Sequence, residues 1–179
     1  MKKYLTLLLF SFVVMVSVAQ NQQWIVASST IKFKIKNAGI MIDGAFTGLN
    51  ATINFDTSKG FGNKIEASVD AKTVNTGNDM RDEHLRKVDY FSVDQFPKIF
   101  MKSSVFSKEA DGRFKGFFTL TIKGVSNTVP VIFSFTENDG KGKLSGSFKI
   151  NRLDYKVGGS SWVLSDDVNI SLEVNVVKK

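Results

Sequence analysis

The chain has no cysteine, a single histidine and no apolar run of the ~20 residues needed to cross a bilayer. Without cysteine, neither a disulfide framework nor a lipid-modified cysteine nor thiol catalysis is available, so stability has to come from the core. One histidine, His84, excludes multi-histidine metal sites, and Asp79, Asp82 and His84 lack the spacing of a metal motif. A serine nucleophile would need His84 as its base, and no G-x-S-x-G elbow is present. Gly158-Gly159-Ser160-Ser161 is followed by no helix signal and reads as a loop, not a phosphate cradle. No catalytic residue, metal ligand or cofactor is therefore assigned. Basic clusters are also missing. The formal charge of +7 is spread singly along the chain, at Lys32, Lys34, Lys36, Lys98, Lys102, Lys141, Lys143 and Lys149, in alternation with apolar residues. That is a solvated face, and no nucleic-acid partner is expected.

What is present begins with an address. Met1-Lys2-Lys3 is a short basic start, Leu5 to Val16 is apolar, and Ser17-Val18-Ala19 before Gln20 fits a small-x-small cleavage site. Residues 1–19 read as a signal peptide, cleaved near Ala19; the other reading, a retained anchor, is disfavoured because the run is shorter than the ~20 residues a membrane span needs. A periplasmic or secreted protein without a stable membrane anchor is expected. Residues 20–179 then form one domain, large enough to bury about 70% of the unfolded chain's surface.

Alternation of period two fills most of that domain. Ile31, Phe33 and Ile35 share one face, as do Leu49, Ala51, Ile53 and Phe55, and Ile65, Ala67, Val69 and Ala71. The pattern continues through Ile99, Met101, Ser103 and Val105, through Phe114 to Ile122, and through Val129 to Phe135. It ends with Leu144 to Ile150, a short Leu153, Tyr155, Val157, and Val168 to Val176. Phe46 is on even numbers and Leu49 on odd, so one strand changes parity at Gly48, where a bulge would bend it. Eight or nine antiparallel strands can make a sandwich or a barrel; the long strands, the bend and an inserted helix favour the barrel. An eight-stranded barrel either fills itself or holds one ligand. Gly116, Gly146, Ala67, Ala71 and Ser103 on the inward parity suggest room inside, although small and large residues can also interlock into a solid core.

The helix interrupts the β pattern between Thr76 and Ser103. Asn78 is its expected N-cap, acids open it, Arg86 and Lys87 follow, and Pro97 bars continuation. On a helical wheel Met80, Arg81, His84, Leu85, Val88 and Phe91 share an arc, while Asp82, Glu83, Arg86, Lys87 and Asp89 face away. The covered face thus carries two polar groups, Arg81 and His84.

These residues carry a resemblance. Phe33-x-Ile35-x-Asn37-x-Gly39 with Gly44-x-Phe46-x-Gly48 and Ile53-x-Phe55-Asp56, then Arg81-Asp82-x-His84-Leu85, Tyr90-Phe91, Phe96-Pro97-x-Ile99 and Ser103 are followed by Gly116-x-Phe118-x-Leu120-x-Ile122-Lys123-Gly124. Arg152-x-Asp154-Tyr155-x-Val157-Gly158 and Asp166-x-Val168 complete the order. Together they resemble the YceI-like family of polyisoprenoid-binding proteins, exported lipocalin-like barrels. The chain departs from that family's pattern, with Ala27 where many members have an acidic residue, Ser28-Ser29-Thr30 in place of a His-Ser pair before the first strand and Asn37 in place of a histidine after it, so the roles of those histidines do not transfer.

The resemblance implies an all-β, eight-stranded antiparallel barrel, with one short helix at its mouth, that binds an isoprenoid lipid of the quinone or polyprenol type. Burying a methylene contributes ~0.8 kcal/mol against an association cost of roughly 4 to 15 kcal/mol, which favours a long tail over a small metabolite. Parity and the family fold together assign the cavity wall to Phe33, Ile35, Phe46, Val69, Ile99, Met101, Phe118, Leu120, Phe133 and Phe148, with Leu85, Val88 and Phe91 closing the mouth. Arg81 and His84 either donate to the ligand's head group or anchor the helix, Arg81 through an acid such as Asp82 or Asp154 and His84 through the backbone. Arg152 and Asp154 are expected to form an internal ion pair, since buried charge needs a partner. Two other readings stay open: a filled, partner-binding barrel, and a barrel lyase or isomerase using Arg81, His84 or Tyr155. The oligomeric state is open as well, a dimer being one option.

Overall fold

A computed structural model describes residues 22–179; the expected leader over residues 1–19 lies outside them. The strands in chain order are β1 (Gln23–Asn37), β2 (Ile40–Phe46), β3 (Asn50–Asn54), β4 (Lys64–Asp70), β5 (Lys98–Lys108), β6 (Phe114–Ile122), β7 (Val125–Asn138), β8 (Lys141–Asn151) and β9 (Leu164–Lys178). Among the described residues a single α-helix, α1 (Asp79–Arg86), lies between β4 and β5. β2 and β3 face β1 in one register, with Ile31 opposite Phe46 and Trp24 opposite Ile53, and so are two halves of one bent stave. Eight staves result. β9 closes the sheet on β1, from Trp24 opposite Lys178 to Asn37 opposite Leu164, which closes the barrel, while among the described residues the outer edge of β2 carries only a single bridge, between Ala45 and Asn75.

The bend falls at Thr47–Leu49, where Gly48 takes φ +72°, a left-handed conformation that glycine adopts without a Cβ clash. β1 makes a matching change: its register on β9 slips between Val26 and Ser28, so Trp24 on even and Ile31, Phe33 and Ile35 on odd numbers belong to one inner face. A further slip between Ser103 and Val105 corrects the sequence reading of β5. Val105 points outward and Phe106 joins the core in its place. Nor is Leu153–Val157 a strand. Arg152–Tyr155 is a turn of 3-10 helix capped by Asn151, whose side chain accepts from the Leu153 amide.

One end of the barrel is solid. Phe55, fully buried, has the rings of Phe114, Phe135, Phe106 and Phe133 around it at centroid distances of 5.1, 5.2, 5.4 and 5.6 Å. Trp24 packs on Phe135 at 5.1 Å, and its indole Nε1 donates to the Phe55 carbonyl at 2.8 Å, satisfying the one polar atom the ring brings inside. The glycines expected to leave space are instead filled. A Cβ at Gly116 would lie 2.6 Å from the Phe118 ring and 2.9 Å from that of Phe106, and one at Gly146 would lie 2.9 Å from Phe133 Cβ. At this end small and large residues interlock.

Phe55→Ala should therefore cost about 3–5 kcal/mol of unfolding free energy, the usual range for deleting a buried ring. Urea unfolding measures this, and a loss below about 1 kcal/mol would mean that the aromatic cluster does not hold the base.

Candidate functional site

Above the aromatic base the interior is open. A cavity of about 380 Å³ runs from a floor of Ile53, Val131, Phe133, Leu144 and Val174 to the barrel mouth, within the range of about 300–1,000 Å³ usual for ligand sites. Its walls come from Phe33 and Ile35 of β1, Phe46 of β2, Val69 of β4, Ile99 and Met101 of β5, Phe118 and Leu120 of β6 and Phe148 of β8. Val168, Ile170 and Leu172 of β9 complete them. The width has a local cause. Ala51 of β3 lies opposite Ala67 of β4, so two small side chains face each other there, with the flexible Met101 of β5 next in the row. Gly44 contributes differently: the Phe33 ring lies against its backbone, where a Cβ would come within 2.2 Å of the ring. Phe33 then meets Phe46 at 5.7 Å, and Phe46 meets Phe91 at 5.5 Å, linking wall to lid.

The lid is the segment from Thr76 to Phe96. Asn78 caps α1 by accepting from the Arg81 amide at 3.0 Å. The helix stops at Arg86 because Lys87 turns extended, at φ −70° and ψ 168°. The wheel drawn through residue 91 therefore fails beyond that point. Val88 does not border the cavity; it is 63% exposed and sits over a shallow polar depression with Asp89, Lys123 and Lys156. Met80 is likewise outside, 81% exposed. Leu85 and Phe91 do line the cavity, as the remaining predicted wall residues do.

Asp82, assigned by the wheel to the solvent face, is 4% exposed. It accepts from the Thr76 amide at 2.8 Å and the Thr76 hydroxyl at 2.5 Å. Arg81 Nε donates to that hydroxyl oxygen at 2.7 Å and Nη2 to the Thr76 carbonyl at 3.0 Å. Thr76 thus bridges the two charges, so Arg81 is tied through threonine and not directly to Asp82 or Asp154. Arg86 fastens the helix to the link that follows β4 through the Lys72 and Val74 carbonyls. At the far side Gly158 N donates to the Asp89 carbonyl at 2.8 Å, and Lys123 Nζ reaches the Asp89 and Lys156 carbonyls. Both ends of the lid are clamped.

The polar groups bordering the cavity are concentrated under this lid: Asn37, Thr76, Arg81, His84, Tyr90, Arg152 and Tyr155. His84 is exposed on one side and packs its ring 4.9 Å from that of Tyr90; among the described residues its imidazole makes no backbone hydrogen bond. Arg152, 3% exposed, spends its donors on the Ser165, Val157, Gly159 and Leu164 carbonyls and on Asp166 Oδ1 at 2.8 Å. Its ion-pair partner is therefore Asp166, not Asp154, and it holds the link between β8 and β9. Tyr155 is fully buried, and its hydroxyl has no hydrogen-bond partner among the described residues. Burial, with the Asp154 carboxylate adding to it, raises this phenol above its ordinary value of 10.0. Sequence reasoning missed Asn37, Thr76, Tyr90 and the β9 wall, although the β9 alternation carried the signal for the last of these.

A closed antiparallel barrel, sealed at one end and holding an apolar cavity under a clamped helix at the other, is lipocalin-like in architecture. The chain belongs to the YceI-like family, whose YceI-like domain matches residues 24–176. A UPF0312 protein of Yersinia enterocolitica is 26% identical over 155 residues, 83% of this chain and 80% of its own. The crystal structure of the YCEI protein of Campylobacter jejuni shares 31% identity, covering 77% of this chain and 85% of that one at a TM-score of 0.68. BcnA of Burkholderia cenocepacia, at 23% identity, has the same fold over 82% of this chain and 95% of its own, with a TM-score of 0.78.

Two outcomes follow. Asp82→Ala leaves two Thr76 donors without their acceptor, so amide exchange over residues 76–86 should accelerate and stability fall by about 1–3 kcal/mol; unchanged exchange would show that the clamp lies elsewhere. For Tyr155, the raised phenol makes the neutral form the one the fold favours, a contribution present below pH 10.0 and lost as pH rises through the folded value. Unfolding curves between neutrality and pH 11 should show wild type losing stability at the alkaline end relative to Tyr155→Phe, and parallel curves would contradict this.

Proposed function

We propose that this protein is an exported binding protein that holds an isoprenoid lipid, of the quinone or polyprenol type, with its tail in the barrel, for transport, storage or protection and without turning it over. The observation that carries this reading is an apolar cavity open at one end and closed at the other by the Phe55 cluster. Below the polar groups of the mouth the space is lined by leucine, isoleucine, valine and phenylalanine, which give water few hydrogen-bond partners, so an apolar chain entering there displaces little firmly held water. Each methylene buried contributes about 0.8 kcal/mol, so several prenyl units outweigh the cost of association. Supporting it further, a domain of the same fold from Saccharophagus degradans, 15% identical at a TM-score of 0.71, is described as polyisoprenoid-binding.

In this reading the head group stays at the mouth. Arg81 is already committed to Thr76 through two of its nitrogens, which makes it first the anchor of the lid. His84, with its ring against Tyr90 and one face toward solvent, is the donor best placed to meet a carbonyl or phosphate. Export, with cleavage near Ala19, places the protein in the periplasm or outside the cell.

Organic extracts of protein purified from its native host should contain an isoprenoid lipid by mass spectrometry, and added quinone or polyprenol should raise the melting temperature of the emptied protein. Ala67→Phe, which fills the space left by the facing alanines of β3 and β4, should abolish both while the barrel stays folded. Lipid-free extracts together with no thermal shift would sink the proposal.

A further inference from the structure

We propose that the rim formed by the β1–β2 turn and the loop before β9 docks on a lipid bilayer, inserting Trp162 and its apolar neighbours into the membrane interface. The exposed large apolar side chains of the described residues are unevenly placed. Ile40 and Met41 at the start of β2 and Met80, Val88, Trp162 and Val163 in the connections surround the mouth, whereas among the described residues the connections at the opposite end show Phe61, and Ile25, Phe100, Val105 and Ile132 are scattered singly along the strands. Trp162 is fully exposed, and Ile40, Met41 and Val163 are each more than half exposed.

Four of these form one patch. Ala38 N donates to the Val163 carbonyl at 2.8 Å, Asn37 pairs with both Ile40 and Leu164, and Lys36 lies opposite Met41. The loop is held in place, with the Val163 and Leu164 amides donating to Ser161 Oγ at 3.3 and 3.1 Å. Ala38 and Gly39 take φ +47° and +84°, the geometry of a tight two-residue hairpin tip that projects from the sheet.

Shape and charge favour a bilayer over a protein partner. The apolar side chains stand at the tips of two turns, not along a groove, so a deformable medium surrounds them better than a rigid surface does. Tryptophan, apolar with one polar N–H, suits the membrane–water interface. Lys32, Lys34 and Lys36 project outward from β1 behind the patch, and of them Lys34 pairs with Asp43 at 3.1 Å, leaving a positive balance toward anionic head groups. The patch is also continuous with the opening, since Asn37 and Leu164 border the cavity. Docking there would put the mouth against the lipid. That use rests on the lipid-binding reading above; docking itself does not.

The two tryptophans make the test direct, because Trp24 is buried in the base and Trp162 is fully exposed. With vesicles of phosphatidylglycerol and phosphatidylethanolamine, emission should shift to shorter wavelength and be quenched by brominated lipids. Both effects should vanish in Trp162→Ala. The pair Ile40→Asp and Val163→Asp should lower vesicle partitioning about tenfold or more with an unchanged melting temperature. Docking is overturned if wild type shows neither shift nor quenching, if Trp162→Ala is quenched equally, or if Trp162 is instead buried by a dimer that dissociates on dilution. A protein whose extracts contain lipid but which shows no shift loses docking alone; one that docks but carries and accepts no lipid loses the lipid-binding reading alone.

Discussion

Phe55 and the rings around it determine what this barrel is able to do. Eight staves enclose an interior just wide enough to be packed solid or to hold one ligand, and here the interior is divided. Phe106, Phe114, Phe133 and Phe135 surround Phe55 at one end, and the Trp24 indole is tied to the Phe55 carbonyl. With the base secured by aromatic packing, the upper half is free to remain open, and the facing alanines Ala51 and Ala67 keep it wide. A core that stabilises the fold and a cavity that weakens it are thereby kept in separate halves of one barrel.

The mouth follows a second logic, in which charge serves geometry. Arg81, Asp82 and Thr76 close a small network at the start of α1, Arg86 adds two carbonyls of the preceding link, and Gly158 with Lys123 holds the far end through Asp89. Arg152 does the same for the connection into β9, gathering carbonyls and Asp166. A charged residue buried without such partners would be costly; satisfied in this way it fixes irregular backbone that no sheet ladder supports. His84 is left as the polar group of the lid least committed to structure.

Much of this was legible from alternation, because a strand buried on one face writes its burial into every second residue. The inner faces of β6, β8 and β9 and most of the cavity wall follow from parity, and the Asn78 cap from local chemistry. The misses share a physical cause: parity persists only while the ladder does. The slip between Ser103 and Val105 exchanged Val105 for Phe106, and the slip near Ala27 brought Trp24 inside. Lys87 ended the helix and turned Val88 outward. The burial of Asp82 and the pairing of Arg152 with Asp166 depend on contacts with Thr76 and with the β9 approach, which no period within a single segment records.

The central claim is that the space above Phe55, beneath the lid, receives an apolar chain. A crystal structure of the protein saturated with a polyprenol or an isoprenoid quinone tests it most directly. The account predicts continuous density for the tail between Ile35, Leu120 and Ile170, ending above Phe133, with the base unmoved and the head group beside His84. Lipid bound only on the outer surface, or a tail that displaces the Phe55 cluster to reach the opposite end, would contradict it.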